Sequence, residues 1–260
     1  MTAVQIERPP AMTASRLSKS YGDHRVLSDV DVAIRRGETL AVVGPSGSGK
    51  STLCRTLVGL EEFDRGEIEL DGQWIARRDG PRERLSRCGD YRRRRLAMGM
   101  VFQHYTLFPQ LTVLQNVTLA PRRVLGVDKR EAVERAMEVL ERVGLGDKAG
   151  SFPQHLSGGQ QQRAAIAREL AMRRSILFFD EATSALDPEL VSEVLHVVEE
   201  LTSSGLTLVI VSHEMGFVRR AADRVVFMDA GRIVEVAEPE AFFEDPQEER
   251  SRTFLAKMAA

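Results

Sequence analysis

Nine consecutive residues combine glycines, hydroxyls and a lysine in an order that suits the binding of phosphate groups. Glycine has no Cβ, so such a segment can bend tightly and turn successive backbone N–H groups inward. Lys50 is placed to reach the outer phosphates of a nucleoside triphosphate, and the hydroxyl of Ser51 to bind Mg²⁺. We call this segment the phosphate loop; it consists of Gly44, Pro45, Ser46, Gly47, Ser48, Gly49, Lys50, Ser51 and Thr52.

The residues around the phosphate loop favour this interpretation over a surface turn rich in Gly and Ser. An apolar run typical of a strand, residues 40–43, precedes the loop, and a helical pattern through Leu53 and Leu57 follows it. A helix that starts at the loop would direct unpaired N–H groups and its dipole toward an anion. The sequence therefore predicts a strand, a loop and a helix that bind a nucleoside triphosphate with Mg²⁺.

A second segment, Leu156 to Gln160, also places glycines and a hydroxyl ahead of a helical pattern. Ser157 is a good N-cap, and Gly158 and Gly159 leave the start of the helix open to an anion. A simple capping turn explains the same residues at least as well. The residues alone therefore leave a second anion cradle as one of two interpretations.

Polar side chains end three apolar runs that are typical of buried parallel strands. Because the carboxyl ends of parallel strands meet at one edge of a sheet, where ligands bind, we expect these side chains beside the phosphate loop. Buried carboxylates are costly without a cation, so Mg²⁺ is the expected partner of Asp180. Glu181, one residue further on, is expected near a water that attacks the γ-phosphate. The polar residues are Gln103 after 98–102, Asp180 and Glu181 after 175–179, and His213 after 206–212.

Patterning along the chain predicts an α/β protein with a nucleotide-binding core built on a mostly parallel sheet. Alternating polar and apolar residues predict an N-terminal antiparallel sheet, with strands between residues 12 and 37 and another at 67–72. Residues 104–156 have no strand pattern, and Asp128 is a good N-cap for a helix from Lys129, so we expect an inserted helical subdomain. The expected ranges are a frayed tail at 1–12 and a single domain at 13–260, with the helical subdomain at about 104–165.

The chain has 260 residues, 43% of them hydrophobic and 28% charged, and a net charge of −2. This length suits one large domain or a domain with an inserted lobe. No apolar run approaches the roughly 20 residues that span a bilayer, and no secretory signal is evident, so we expect a cytosolic protein, with peripheral membrane attachment left open. Cys54 and Cys88 have no metal-like partners nearby and are expected to be free thiols.

Nine arginines between residues 75 and 95 form a strongly basic stretch. A surface for nucleic acid or anionic lipid is one interpretation. A solvated helix or loop face is the other, and we favour it because acids are interspersed among the arginines. Tyr91 is the only aromatic residue of the stretch, so no platform for base stacking is indicated and nucleic acid is not an expected partner.

Taken together, these residues resemble the ATP-binding cassette (ABC) family. The segment LSGGQ, between a phosphate loop and an acidic strand end, separates this family from kinases and small GTPases. The resemblance covers about residues 13–258 and is closer still to the cassettes of polar amino-acid importers, in the stretches 101–121, 182–195, 212–235 and 242–255. The family's motifs occur in the order Tyr21, GPSGSGKST (44–52), Gln103, LSGGQQQR (156–163), ILFFDE (176–181), SALD (184–187) and His213.

The resemblance implies a role for each matching position. Tyr21 would stack on adenine, and Lys50 with the rest of the phosphate loop would hold the phosphates of ATP and Mg²⁺. Gln103 would touch the metal and the attacking water, and its loop would contact membrane subunits. Asp180 would bind Mg²⁺, usually through water, and Glu181 would be the catalytic base.

Further matching positions imply a pair of chains. His213 would be the γ-phosphate switch of its own site, whereas Ser157 and Gly159, within residues 157–160, would complete the site of a second copy. Asp187 would bridge the two sites. A head-to-tail pair would use both anion cradles of each chain, although each chain has one metal site.

The implied function is ATP hydrolysis that drives the import of a polar amino acid or similar small solute. The chain would lie peripherally on the cytoplasmic face of the inner membrane, bound to a second copy of itself and to integral membrane permease subunits. A solute-binding protein would be an indirect partner. The alternatives are a cassette of an exporter or lipid-extracting complex, and a non-transport ABC ATPase that acts on nucleic acid or ribosomes.

One position departs from the family pattern. Family members usually have proline after the catalytic glutamate, whereas this chain has Ala182. Proline would fix φ and remove an N–H, so alanine is expected to leave a somewhat looser turn with the chemistry intact.

Overall fold

The computed structural model describes residues 10–80 and 83–258, which form two β-sheets and a set of helices. The strands are β1 (Pro10–Tyr21), β2 (His24–Arg35), β3 (Thr39–Val43), β4 (Arg65–Leu70), β5 (Gln73–Arg78), β6 (Ser86–Arg87), β7 (Met98–Val101), β8 (Ile176–Asp180), β9 (Thr207–Val211), β10 (Arg224–Asp229) and β11 (Arg232–Ala237). The α-helices are α1 (Lys50–Leu57), α2 (Tyr91–Arg95), α3 (Val113–Val124), α4 (Lys129–Arg142), α5 (Gly158–Leu170), α6 (Pro188–Thr202), α7 (Met215–Ala221), α8 (Pro239–Glu244) and α9 (Glu249–Met258).

The central sheet has the strand order β11-β10-β3-β9-β8-β7, and every neighbouring pair except β10 and β11 is parallel. All residues of β3, β8 and β9 are buried, which explains their unbroken apolar sequences. Val42 and Asp180 both pair with Val211, so β3, β9 and β8 end side by side. The predicted α/β class with a mostly parallel core sheet is confirmed.

The second sheet is antiparallel along β1, β2, β4 and β5, with the strand order β2-β1-β4-β5-β6. Its first strand begins earlier than the sequence predicts, because Pro10 and Met12 already pair with β2, and Ala11 and Met12 are buried. The tail predicted for residues 1–12 was therefore wrong for residues 10–12. Residues 1–9 lie outside the described part of the chain.

Apolar side chains pack on both faces of the central sheet. Phe178 and Phe179 are adjacent on β8 and point to opposite faces, as successive strand residues do. Phe178 packs in a cluster with Leu27 of the antiparallel sheet, whereas Phe179 packs in a cluster with Leu140 and Ile166 of the helices. Each fully buried side chain of this size contributes about 1.5–3 kcal/mol to folding.

Helices α3, α4 and α5 pack against one another beside the central sheet. The Asp128 carboxylate accepts a hydrogen bond from the Arg130 N–H at 2.8 Å and caps α4, in agreement with the sequence. Thr112 caps α3 in a capping box with Gln115. The subdomain boundaries at about 104–165 stay a prediction, since α5 continues to Leu170 without a break.

The basic stretch is only in part the predicted solvated face. Arg92 and Arg93 are exposed on α2, but Arg78 and Arg95 bind backbone carbonyl groups. The Arg78 guanidinium donates to the Phe63 carbonyl at 3.0 Å, and that of Arg95 donates to the Val58 carbonyl at 3.1 Å. Some of these arginines therefore hold the local fold.

The two cysteines are free thiols, as predicted, in different surroundings. Cys54 is buried on α1, and its burial raises the pKa of the thiol. Cys88 is half-buried just before α2, where its thiol donates to the Asp90 carboxylate at 3.1 Å.

Candidate nucleotide-binding site

The phosphate loop joins β3 to α1, and the backbone requires glycine near both of its ends. Gly44 has a φ of 148°, and a Cβ there would lie 2.1 Å from the carbonyl oxygen of Met228. Gly49 has a φ of 100°, and a Cβ there would lie 2.7 Å from the carbonyl oxygen of Val26. The phosphate loop is thus a tight turn that a larger side chain would disrupt.

Lys50 is buried at the first position of α1, with its ammonium directed back into the phosphate loop. Its Nζ donates to the carbonyl oxygens of Gly44 and Pro45 at 2.9 and 3.0 Å. Burial lowers the pKa of Lys50, while the carboxylates of Glu181 and Asp180 act in the opposite direction. A buried cation requires acceptors, and phosphate oxygens would supply charged ones, so the loop fits a phosphate ligand.

Ser51 and Asp180 meet between α1 and the end of β8. The Ser51 hydroxyl donates to the Asp180 carboxylate at 2.6 Å, and the Arg55 guanidinium lies 3.0 Å from the other carboxylate oxygen. Within the described residues, no group of three or more His, Cys, Asp or Glu side chains is placed to hold a metal. Ser51 and Asp180 supply two hard oxygen donors, which fit a Mg²⁺ that takes its remaining ligands from phosphate and water.

Glu181 and His213 lie next to this pair, at the ends of β8 and β9. His213 Nε2 and Glu181 Oε1 are hydrogen-bonded at 3.1 Å. Glu181 has a φ of 52°, and its N–H donates to the Val211 carbonyl at 3.1 Å. The backbone and the imidazole together set the direction of the Glu181 carboxylate.

Tyr21 ends β1 and presents an exposed ring beside the first turn of α1. Its hydroxyl is hydrogen-bonded to the Glu61 carboxylate and lies close to the Thr52 hydroxyl. Tyr21 is 48% exposed, and the Lys19 ammonium lies 4.8 Å from the ring centroid. Desolvation and the Glu61 carboxylate raise the pKa of Tyr21. An exposed aromatic face at this position is available for stacking.

Gln103 is half-buried two residues after β7, the strand next to β8. Its neighbours in the chain contact α5, because the Gln162 amide donates to the Phe102 carbonyl at 3.0 Å and the Arg168 guanidinium donates to the Thr106 carbonyl at 2.7 Å. The end of β7 thus places Gln103 at the same sheet edge as Asp180.

The second cradle, residues 157–160, lies at the start of α5. Ser157 and Gln160 form a capping box, in which the Ser157 hydroxyl accepts from the Gln160 N–H and the Gln160 side chain accepts from the Ser157 N–H. A Cβ on Gly158 would approach Tyr105 and Leu186, and one on Gly159 would approach Leu190. None of these neighbours belongs to the phosphate loop of the same chain.

Two further predicted positions lie in the segment between β8 and α6. Asp187 is exposed at the N-cap of α6. Ala182, which stands where the family usually has proline, is buried and packs in the cluster of Phe179. The turn after Glu181 is therefore packed against the core with alanine at this position, and the predicted looseness of the turn stays a prediction.

Some residues of the site carry no signal in the sequence. Arg55 pairs with Asp180, Glu61 binds the Tyr21 hydroxyl, and Gln162 and Arg168 hold the segment of Gln103. These contacts join residues that are far apart in the chain. Arg55 could have been noticed only from its position one turn beyond Ser51 on the predicted helix.

A family model described as ABC transporter matches residues 27–184. The chain is 51% identical over 243 residues to the glutamine transport ATP-binding protein GlnQ of Geobacillus stearothermophilus, covering 94% of this chain and 97% of the relative. It is 50% identical over 247 residues to the glutamate/aspartate import ATP-binding protein GltL of Escherichia coli strain K12, covering 95% and 99%.

Solved structures of similar fold include a dimeric ATP-binding cassette in a post-hydrolysis state, bound to ADP and Pi, with a TM-score of 0.74 and 30% identity, covering 88% of this chain and 98% of that one. A second is a Clostridium perfringens subunit of the ABC transporter complex cbiONQ, with a TM-score of 0.78 and 28% identity, covering 96% and 97%.

Proposed function

Since the chain belongs to the ABC transporter family, we propose that it is the ATP-hydrolysing subunit of an importer for a polar amino acid. The main support for ATPase activity is that three units, each a side chain or a pair of side chains, lie together at one edge of the central sheet. These units are the buried Lys50 ammonium, the Ser51–Asp180 pair and the Glu181–His213 pair.

The proposed reaction is the transfer of the γ-phosphoryl group of ATP to water. Lys50 would bind the outer phosphates. The Glu181 carboxylate would accept a proton from the attacking water, while His213 would keep that carboxylate oriented. Ser51 and Asp180 would hold Mg²⁺, which neutralises developing phosphate charge when bound. The chain thus contributes positioning and charge stabilisation.

The transported solute is proposed from the relatives. Their names state glutamine transport and glutamate/aspartate import, and each is about half identical to this chain over nearly its whole length. These names favour amino-acid import over an exporter or lipid-extracting cassette and over an ABC ATPase that acts on nucleic acid or ribosomes. The binding protein and the permease would select the individual solute.

We propose a second copy of the chain as the partner that completes each site. The phosphate loop and the second cradle occupy separate places in one chain, and a solved neighbour with 30% identity is dimeric. In a head-to-tail pair, Ser157 and Gly159 of each copy would close over the ATP held by the other. Asp187 would then lie between the two sites.

The proposed contact surface for the permease is a groove of about 600 Å³ next to the segment of Gln103. Its lining includes the apolar side chains of Leu60, Tyr91 and Phe102 and the basic side chains of Arg87 and Arg92, so an acidic amphipathic segment of the permease is the matching occupant. Such a contact would hold the chain as a peripheral subunit on the cytoplasmic face of the membrane. Within the described residues, no helix combines the length and apolar character required to cross a membrane.

The substitution Glu181→Gln tests the proposed reaction. It removes the proton acceptor but keeps the size of the side chain, so turnover should fall by about 10²–10⁴ while ATP binding persists, as expected for loss of a general base. Turnover is measured by phosphate release and binding by a fluorescent ATP analogue. Glu214→Gln changes an exposed neighbouring carboxylate and should leave both quantities unchanged; normal turnover in Glu181→Gln would refute the role of Glu181.

A further inference from the structure

Helix α5 holds the loop that contains Gln103 on both sides of that residue. We call residues 102–112, which connect β7 to α3, the glutamine loop. Gln162 Nε2 donates to the Phe102 carbonyl at 3.0 Å, directly before Gln103. Arg168 donates to the Thr106 carbonyl at 2.7 Å and to the Thr106 hydroxyl at 2.9 Å. The position of Gln103 therefore depends on where α5 lies.

The contact made by Gln162 is buried and incomplete. Gln162 is fully buried, and its amide nitrogen binds the Phe102 carbonyl, whereas its amide oxygen has no hydrogen-bond partner among residues 10–80 and 83–258. A buried acceptor without a partner is costly and is uncommon in folded proteins. The hydrogen bond that Gln162 makes to the glutamine loop therefore fixes the Phe102 carbonyl relative to α5.

The contact made by Arg168 fixes a strained residue. Thr106 has a φ of 50°, in the left-handed region that side chains other than glycine rarely adopt. The Arg168 guanidinium binds both oxygens of Thr106, and the Arg168 side chain is only 14% exposed. Strained backbone persists where the surroundings over-determine it, often in segments that switch between states.

The other end of α5 carries the second cradle. The glutamine loop touches this end too, since a Cβ on Gly158 would lie 2.7 Å from the Tyr105 hydroxyl oxygen. Between the cradle and Arg168, α5 is one helix without a break. A packed helix shifts as a unit, so a displacement at Ser157 would be transmitted to the glutamine loop.

We infer that Gln162 and Arg168 are positioning residues that couple the two ATP sites of the proposed pair. In that pair, Ser157 belongs to one shared site and Gln103 of the same chain to the other. Contact between ATP and Ser157 in one site would therefore fix the position of Gln103 in the other site. The inference rests on the proposed function, because it requires shared sites that hydrolyse ATP.

The test compares the unmodified chain with Arg168→Met and Gln162→Met, by measuring the rate of phosphate release against ATP concentration with Mg²⁺ present. The unmodified chain should show a sigmoidal dependence. Both variants should show a Hill coefficient close to one and a kcat lower by about tenfold, a typical size for coupling between sites. The affinity for a fluorescent ATP analogue at protein concentrations too low for pairing should be unchanged.

Three further variants separate coupling from general loosening of the helices. Arg135→Met removes another guanidinium that contacts the C-terminal end of α5, at the carbonyl of the capping residue Ala171 3.4 Å away, and should keep the sigmoidal dependence because this contact lies outside the glutamine loop. Arg168→Lys retains one donor for the Thr106 carbonyl and should restore part of the cooperativity. Thr106→Ala changes an exposed side chain, so it should fold normally and lose cooperativity only in part.

The outcomes are distinguishable. A hyperbolic dependence in the unmodified chain, full cooperativity in Arg168→Met and Gln162→Met, or an equal loss in Arg135→Met would each overturn the coupling while leaving the ATPase function intact. Absence of any ATP hydrolysis by the unmodified chain would overturn the proposed function instead, and the coupling with it.

Discussion

At the scale of single residues, Glu181 occupies a backbone conformation that costs free energy. Its φ of 52° lies in the left-handed region, where a residue with a Cβ is destabilised by about 1–3 kcal/mol. The hydrogen bonds to the Val211 carbonyl and to His213 hold this conformation. The strain is thus retained at the residue whose carboxylate is proposed to accept a proton.

This strain predicts an inverted preference between alanine and glycine at position 181. Glu181→Gly should be more stable than Glu181→Ala by about 1 kcal/mol, because only alanine keeps the Cβ that disfavours this conformation. Both variants should lose ATP turnover. Urea unfolding measures the difference, and the same two substitutions at Glu189, within α6, should give the opposite order; the same order at both positions would exclude strain at Glu181.

Tyr21 offers a second prediction at this scale, because its ring and its hydroxyl have separate contacts. Tyr21→Ala removes the proposed stacking surface and should weaken ATP binding by about 1–3 kcal/mol, the usual range for a base stacked on an aromatic ring. Tyr21→Phe removes only the hydroxyl that binds Glu61 and should bind ATP almost normally. Calorimetric titration with ATP would decide, and equal weakening in both variants would mean that the hydroxyl, and not the ring, contributes the affinity.

The sequence predicts the positions of many site residues but few of their partners. Lys50, Ser51 and Asp180 could be assigned a common site because a loop motif and the ends of parallel strands have a known geometry. The pairing of Arg55 with Asp180 depends on how α1 lies against β8, which no local pattern encodes. The backbone strain at Glu181 is equally absent from the sequence pattern.

At the scale of elements, two helices begin with the same device. Ser157 and Gln160 at the start of α5, and Thr112 and Gln115 at the start of α3, each form a capping box. Such a cap satisfies N–H groups that have no partner within the helix. Only the cap of α5 includes two glycines and is proposed to contact ATP, so α3 serves as a structural reference.

This pair of helices separates the capping function of Ser157 from its proposed contact with ATP. Ser157→Ala and Thr112→Ala should each lower stability by about 1 kcal/mol, whereas Ser157→Gly should lower it by only a few tenths. Both variants of Ser157 should reduce ATP turnover, and Thr112→Ala should not. Thermal unfolding and phosphate release provide the two readouts. If turnover followed stability across the three variants, Ser157 would act as a cap alone.

Strands are predicted where an apolar pattern dominates the sequence, and they are missed where charged side chains interrupt that pattern. The strands β3, β8 and β9 are recognised because burial on both faces requires unbroken apolar runs. The strand β5 escaped prediction because it lies partly within the basic stretch, where Arg77 stacks over the ring of Trp74 with 4.9 Å to the ring centroid. A strand that carries several charged residues resembles a loop when only the sequence is considered.

At the scale of the whole molecule, the separation of the two cradles predicts an assembly that depends on ATP. The Glu181→Gln variant should change from 29.0 kDa to twice that mass when ATP and Mg²⁺ are added, because bound ATP would join two self-complementary surfaces. Light scattering measures the mass. Adding Ser157→Arg to this variant should abolish the pair but retain ATP binding, and removing Mg²⁺ with a chelator should also prevent pairing; a monomer under all conditions would contradict the shared sites.

The overall class of the fold followed from the alternation of apolar strands with helical patterns, whereas the order of the strands did not. β3 lies between β9 and β10, strands that come more than 160 residues later in the sequence. Right-handed crossovers restrict the possible orders but leave several. Contacts between such distant segments are set by packing of the complete core, which includes Leu40, Val209 and Val226 in one cluster.

The unequal burial of the two thiols makes the natural chain suitable for labelling at one chosen position. Cys54 is buried with a raised pKa and should be inert to maleimide dyes. Cys88 is only half-buried and should react once alkaline buffer deprotonates its thiol, whose pKa is also raised. Cys88 lies between Arg87 and Tyr91, two residues that line the groove. A dye attached there would report directly on whatever protein occupies the groove, without an engineered cysteine.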